Sequence, residues 1–175
     1  MATFRDMVNI ATSKIAEWEG GGKHHDPERG TWTAYDDEIG GNIPTLGPGI
    51  TGQIGGQDIQ IGQEYPSDLV SDEFGGRLQD EWNWISSKMK NTWGNLNPNQ
   101  QASVISLLHN VGANNFHGTK AYKNLQKGDL EGFAYEAFDP EEGFVKAGGK
   151  IIPGLQNRRA KERDLFFTGM SESAF

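Results

Sequence analysis

The placement of glycine constrains this chain more than any other feature. Residues 20–62 hold 12 of the 24 glycines in a sequence of 175 residues. Each glycine costs a helix interior about 1 kcal/mol relative to alanine and is at home in turns. No long helix therefore crosses this stretch. Short alternating pieces at residues 31–35, 43–46, 50–54 and 59–61 predict small strands in a twisted hairpin or meander. Helical patterns lie on both sides. The expected fold class is α+β, with one helix, a small β lobe and then a helical lobe.

The opening helix is strongly patterned. Phe4, Met7, Val8, Ala11, Ile15 and Trp18 recur at steps of three and four, which buries one face. Thr3 and Asp6 form a capping box at its start. Gly20, Gly21 and Gly22 end it. Glu19 then sits at the negative pole of the helix, where a second negative charge is disfavoured. A partly buried acid there titrates late, as a proton donor must.

Beyond the glycine-rich stretch, Phe74, Leu78, Trp82, Ile85 and Met89 mark a helix from Ser71 to about Asn91. Asn97-Pro98-Asn99-Gln100 combines a cap, a first-turn proline and a capping amide. Ala102, Ile105, Leu108 and Val111 follow inward, with Val104 and Leu107 widening the stripe, so this is expected to be the most buried helix, stopping at Gly112. Helices over 119–127 and 129–138, a loop over 139–153 and a last helix over about 155–167 complete the pattern. One domain is expected, with a β lobe at about 20–62. The helical lobe takes about 63–175 together with the first helix, 3–19.

A formal charge of −8 and a pI near 5.0 exclude a general nucleic-acid binder, which needs a basic stripe. With no cysteine there is no disulfide, thiol nucleophile or cysteine metal site. Asp36-Asp37-Glu38 lacks the alternating spacing of a calcium loop. His24-His25-Asp26 with Glu28 reads as a surface loop, because adjacent histidines on extended backbone point apart. No metal and no cofactor are expected. His109 is expected to be a satisfied cleft or core histidine, and Trp82, Trp84 and Trp93 to be core. The first residues carry an acid, Asp6, and no continuous apolar run, so they do not form a secretory signal. No stretch approaches a membrane span, and no stable membrane insertion is expected.

Four blocks carry a resemblance. They are Glu19-Gly20, AYDDEIGGNIPTLGPGIT at 34–51, LNPNQQASVISLLHNVGANNF at 96–116 and GLQNRRAKERDLF at 154–166. In that order, across nearly the whole chain, they resemble the phage-type lysozymes of glycoside hydrolase family 24. The second block is similar to that family's Tyr-x-Asp and Thr-x-Gly-x-Gly-x-Thr loop. The third is similar to its helix ending in Asn-Val-Gly, and the fourth to its Gly-Leu-x-x-Arg-Arg-x-x-Glu signature. The resemblance implies a lysozyme-like fold with the active-site cleft between the lobes. It implies a muramidase that cleaves the β-1,4 bond between N-acetylmuramic acid and N-acetylglucosamine in peptidoglycan, with inversion.

Residue by residue, the family's catalytic set falls on Glu19, Asp37 and Thr45. Tyr35 selects Asp37 through the Tyr-x-Asp spacing, with Asp36 as the alternative. Tyr35, Asn110 and Arg158 fall at substrate-binding positions, Arg158 where a basic residue faces the catalytic glutamate. Two spacers are longer than in common members, those from Glu19 to Tyr35 and from Asp37 to Thr45. Pro48 and Ile50 replace an aromatic and a histidine, so repacking is expected there. The implied partners are peptidoglycan glycan strands and, for delivery, a holin or virion or secretion machinery. A monomer is expected, made in the host bacterial cytoplasm without a signal peptide and acting in the periplasm or cell wall after release. A lytic transglycosylase and a non-catalytic wall-binding module are the rival functions. Since the chain is acidic and its substrate anionic, the expected compensation is either a local basic rim of Lys23, Arg29, Arg158 and Arg159 or a salty working environment.

Overall fold

The structure is a computed structural model that describes residues 4–18, 24–37 and 42–169, apart from the side chains of Ala16 and Asp37. The chain forms two compact units, one of Thr12–Gln79 and one of Met1–Ala11 with Asp80–Phe175. Helices α1 (Phe4–Trp18) and α2 (Ser67–Lys88) each contribute to both. The stripe expected on α1 is buried at Met7, Ala11 and Ile15 and half-buried at Phe4, Val8 and Trp18. The proposed cap at Thr3 and the terminating glycines 20–22 lie outside the described residues.

In the unit of Thr12–Gln79 the glycine-rich stretch forms short strands. β1 (His25–Asp26), β2 (Thr31–Thr33) and β8 (Glu64–Pro66) make one antiparallel sheet in the order β1-β2-β8. β3 (Tyr35–Asp37), β4 (Ile43–Leu46) and β5 (Ile50–Thr51) make a second. β6 (Gln53–Ile54) and β7 (Gln57–Asp58) form a hairpin. The strand predicted over 31–35 is two strands in different sheets. Ala34 breaks it, since its N–H donates to the Gln63 carbonyl and its carbonyl accepts from Gly62 N–H. The strand predicted over 50–54 is likewise split at Gly52, whose φ of 84° belongs to the left-handed region. Residues 59–61 are not a strand: Ile59 is buried, Ile61 is 53% exposed, and a turn at Gly62 follows.

α2 begins four residues before the predicted Ser71, directly after Pro66. The extra turn adds Val70 to a buried row that continues through Phe74, Leu78, Ile85 and Met89. Val70 meets the β4–β5 turn. At Gly47, φ is +56°, and a Cβ placed there would lie 2.7 Å from Val70 Cγ1. Only glycine satisfies both the backbone and the contact. Pro48 and Ile50, the two departures from the family loop, are buried in the same turn and help fill the interior.

The other unit is helical. Phe4 meets Trp82 edge-on at 5.4 Å between ring centroids, and Trp82 meets Trp93 at 5.2 Å. Trp93 is buried, while Trp82 and Trp84 are half-buried. A single 3₁₀ turn, Trp93–Asn95, leads into α3 (Pro98–Val111). The capping box forms as the sequence predicts: Asn97 Oδ1 accepts from Gln100 N–H, and Gln100 Oε1 accepts from Asn97 N–H, both at 2.9 Å. Nine consecutive residues of α3, from Gln100 to Leu108, are buried, so it is enclosed on all sides. It ends at Gly112, with φ 80°.

α4 (Ala113–Phe116), α5 (Lys120–Lys127) and α6 (Leu130–Phe138) follow, with caps at Thr119, Gly128 and Asp129. The loop predicted over 139–153 contains an antiparallel hairpin, β9 (Lys146–Ala147) with β10 (Lys150–Ile151), turned by Gly148-Gly149. α7 (Pro153–Phe167) starts with proline in its first turn and packs on α3 and α6. Phe116, Phe133, Phe138 and Phe166 pack together with centroids 5.2–6.4 Å apart.

Candidate active site

The residues assigned from the sequence fall into two groups, one in each unit. Glu19 lies outside the described residues. Strands β3 and β4 hold Tyr35, Asp37 and Thr45. Their register sets Tyr35 opposite Thr45 and Asp37 opposite Ile43. Asp37 and Thr45 are thus held on adjacent strands, two rungs apart along the ladder. Asp36, the alternative acid, lies opposite Pro44 and is exposed.

Thr45 is 2% exposed, and its Oγ1 donates to the Ile43 carbonyl at 2.9 Å. A hydroxyl whose proton is committed this way presents lone pairs to a neighbouring donor such as water. Tyr35 is half-buried under His24, whose ring stacks on it at 4.3 Å and 12°. His25 stacks instead on Trp32 at 4.6 Å, and its Nε2 shares a 3.0 Å hydrogen bond with Ser67 Oγ. The neighbouring histidines therefore serve different aromatic partners. Among the described residues, no group of three or more His, Cys, Asp or Glu is arranged to hold a metal.

The second group sits where α7 packs on α3. Arg158, Arg159 and Glu162 lie within one turn of α7, and Ser106 and Asn110 lie one turn apart on α3. Glu162 is fully buried. Its Oε1 accepts from Ser106 Oγ at 2.6 Å, Arg158 Nε at 3.1 Å and Arg159 Nη2 at 3.3 Å. Arg159 Nε pairs with Glu162 Oε2 at 2.9 Å. Arg158 Nη2 also donates to the Ser106 carbonyl and hydroxyl, each at 3.3 Å. Arg159 Nη2 reaches Asn110 Oδ1 at 2.8 Å.

The charges here are not a surface feature. Arg158 is 9% exposed and Arg159 is 0% exposed. Burial lowers the Arg159 pKa to about 10, opposed by the Glu162 carboxylate and assisted by the Arg158 charge. The expected basic rim is corrected accordingly. Two of its four members are interior, Arg29 is paired with Glu64 at 2.6 Å, and Lys23 lies outside the described residues. His109, the residue before Asn110, is nearly buried and its Nδ1 pairs with Glu81 Oε1 at 3.1 Å, the satisfied state expected of it. Sequence reasoning did not single out Ser106 and Glu162. The signal was present in the i, i+3 and i, i+4 spacing of opposite charges on α7.

Comparison with known proteins agrees with this architecture. The phage lysozyme family model matches residues 28–162. The endolysin of Salmonella phage P22 is 29% identical over 136 residues, which cover 77% of this chain and 86% of that protein. A protein of Enterobacteria phage P21 named SAR-endolysin is 36% identical over 69 residues, 39% of either chain. The solved endolysin from Escherichia coli O157:H7 phage FAHEc1 superposes with a TM-score of 0.70 at 21% identity, covering 97% of this chain and 95% of that one; it shows the shared fold. With the matched model spanning most of the sequence, the chain belongs to the phage lysozyme family and is a glycoside hydrolase that degrades peptidoglycan.

Proposed function

We propose that the protein is an inverting N-acetylmuramidase, in which Glu19 protonates the leaving oxygen, Asp37 orients the attacking water and Thr45 assists. The observation that carries this assignment is the β3–β4 register. It places Asp37 and Thr45 on paired backbones within a unit whose turn is fixed by Gly47. Thr45 Oγ1 donates a hydrogen bond to the Ile43 carbonyl, so its lone pairs can accept from a water polarised by Asp37. An inverting enzyme needs its two carboxyls roughly 6.5–9.5 Å apart to admit that water. Tyr35, Asn110 and Arg158 keep the substrate-binding roles that the family resemblance implies for them. The protein works as a monomer.

No described helix is long and apolar enough to cross a membrane. In this reading a holin, a virion or a secretion machine brings the protein to the wall. The test is digestion of purified peptidoglycan by wild type, Glu19→Gln and Asp37→Asn, with mass spectrometry of the products. Hydrolysis yields reducing ends, whereas a lytic transglycosylase yields anhydro products one water lighter. Full hydrolysis by Asp37→Asn, or anhydro products from wild type, overturns the assignment.

A further inference from the structure

We infer that Arg159 is a positioning residue for glycan binding: it fixes the orientation of the Asn110 side-chain amide so that the amide nitrogen faces outward as a donor. The inference rests on the proposal that Asn110 contacts the glycan. Asn110 is exposed, near the end of α3, and it is tethered from below by a fully buried cation. A guanidinium carries only donors, so the amide atom 2.8 Å from Arg159 Nη2 is the oxygen. The NH₂ group is then the part of the side chain left to meet a ligand. Two N–H donors in a fixed plane suit neutral acceptors, namely the hydroxyl oxygens and acetamido carbonyls of an N-acetylated sugar.

The tether is itself paired with a buried carboxylate. Arg159 Nε pairs with Glu162 Oε2 at 2.9 Å, and Glu162 Oε1 is locked by Ser106 at 2.6 Å and Arg158 at 3.1 Å. With Nη2 donating both to Glu162 Oε1 and to Asn110 Oδ1, the guanidinium favours the amide orientation that keeps the oxygen inward. For stability alone this is a poor choice of residue. Arg159 Nε and Nη1 are buried without a hydrogen-bond partner, and an apolar side chain of similar size would avoid that cost. From Arg159 a contact runs to an exposed side chain, that of Asn110. Without it, the amide is free to present either its oxygen or its nitrogen, and half of its orientations offer an acceptor where the sugar needs a donor.

The experiment is a double-mutant cycle on the full chain: wild type, Asn110→Ala, Arg159→Lys and the double variant, assayed by steady-state cleavage of soluble glycan strands. Lysine keeps a positive charge beside Glu162 but lacks the planar fork that reaches Glu162 and Asn110 together. The expected result is a rise in KM of about tenfold for Asn110→Ala and about twofold for Arg159→Lys, with kcat unchanged in both, and no rise in the double variant beyond that of Asn110→Ala. If Arg159→Lys multiplies the loss equally in both backgrounds, its role is structural and the inference fails. It fails equally if Asn110→Ala leaves KM unchanged while wild type cleaves. Should Arg159→Lys not fold, Asn110→Asp decides the matter on an exposed position. It accepts from Arg159 as before but presents no outward donor, so it raises KM as Asn110→Ala does; a wild-type KM overturns the inference. Absence of any cleavage by wild type instead refutes the proposed function.

Discussion

Glu162→Gln should be among the most damaging isosteric changes in this chain. The carboxylate is fully buried and is the anion that Ser106, Arg158 and Arg159 all address. Glutamine preserves volume and one acceptor, but its amide nitrogen then faces a guanidinium nitrogen, donor against donor. Two buried cations lose their shared counter-charge. Breaking one partner of a buried ion pair costs about 3–5 kcal/mol. Unfolding entropy of roughly 2.1 cal/mol/K per residue gives about 0.37 kcal/mol/K for 175 residues. The loss should therefore lower Tm by about 8–14 °C.

An internal control comes from Glu64→Gln. Glu64 pairs with Arg29 at 2.6 Å, closer than any Glu162–arginine contact, but the two side chains are 38% and 62% exposed. Surface pairs of this kind contribute about 0–1 kcal/mol, so Tm should fall by less than about 3 °C. Thermal unfolding followed by circular dichroism, with both variants in the same buffer, makes the comparison. A Glu162→Gln loss no larger than that of Glu64→Gln would refute the claim that burial, and not distance, sets the strength of these pairs.

Two further outcomes follow from local geometry. Gly47→Ala forces a left-handed residue and drives a methyl into Val70, so it should lose about 2–4 kcal/mol, whereas Gly52→Ala, with φ +84° and open space around it, should lose about 1 kcal/mol; equal losses in urea unfolding would remove the Val70 contact from the argument. Asp139 accepts backbone N–H bonds from Glu142 and Glu141, and these hold its pKa below the usual 3.8. A depressed carboxylate pKa stabilises the fold fully above pH 3.8 and loses that contribution as pH falls through the folded value, so an NMR titration of the Asp139 carboxyl should find a midpoint below 3.8, and one at or above it would contradict the turn geometry.

The parts of the fold that were legible in the sequence rest on local physics. The Asn97–Gln100 box, Pro98 in the first turn and Gly112 at the end bounded α3 because each answers an orphan backbone group at a helix terminus. Thr119, Gly128 and Asp129 bounded α5 and α6 in the same way. What the sequence hid was partner choice. Nothing in the alternation of Thr31, Trp32, Thr33 and Tyr35 reveals that Ala34 turns to Gln63 and Gly62 and sends the strand to a different sheet. The hairpin of β9 and β10 has only two residues per strand, too few for any period to show beside its Gly148-Gly149 turn.

The site follows the same division with one instructive reversal. The loop residues Tyr35, Asp37 and Thr45 come from family resemblance and its Tyr-x-Asp spacing, and they lie on the paired strands β3 and β4. Arg158 and Arg159, by contrast, read from the sequence as members of a basic rim, and arginine is seldom fully buried unless paired. The exception is signalled in the chain itself. Glu162 follows Arg159 by three residues and Arg158 by four, so one helical turn carries both cations and their anion. Ser106 and Asn110 repeat the four-residue step on the helix expected to be most buried. Opposite charges at helical spacing, facing a second helix that offers polar groups at the same interval, identify an interior network where composition alone suggests a solvated rim. On that reasoning the Arg-Arg-x-x-Glu signature divides its tasks. Glu162 compensates both arginines, Arg158 is bound to Ser106, and Arg159 extends to the exposed Asn110.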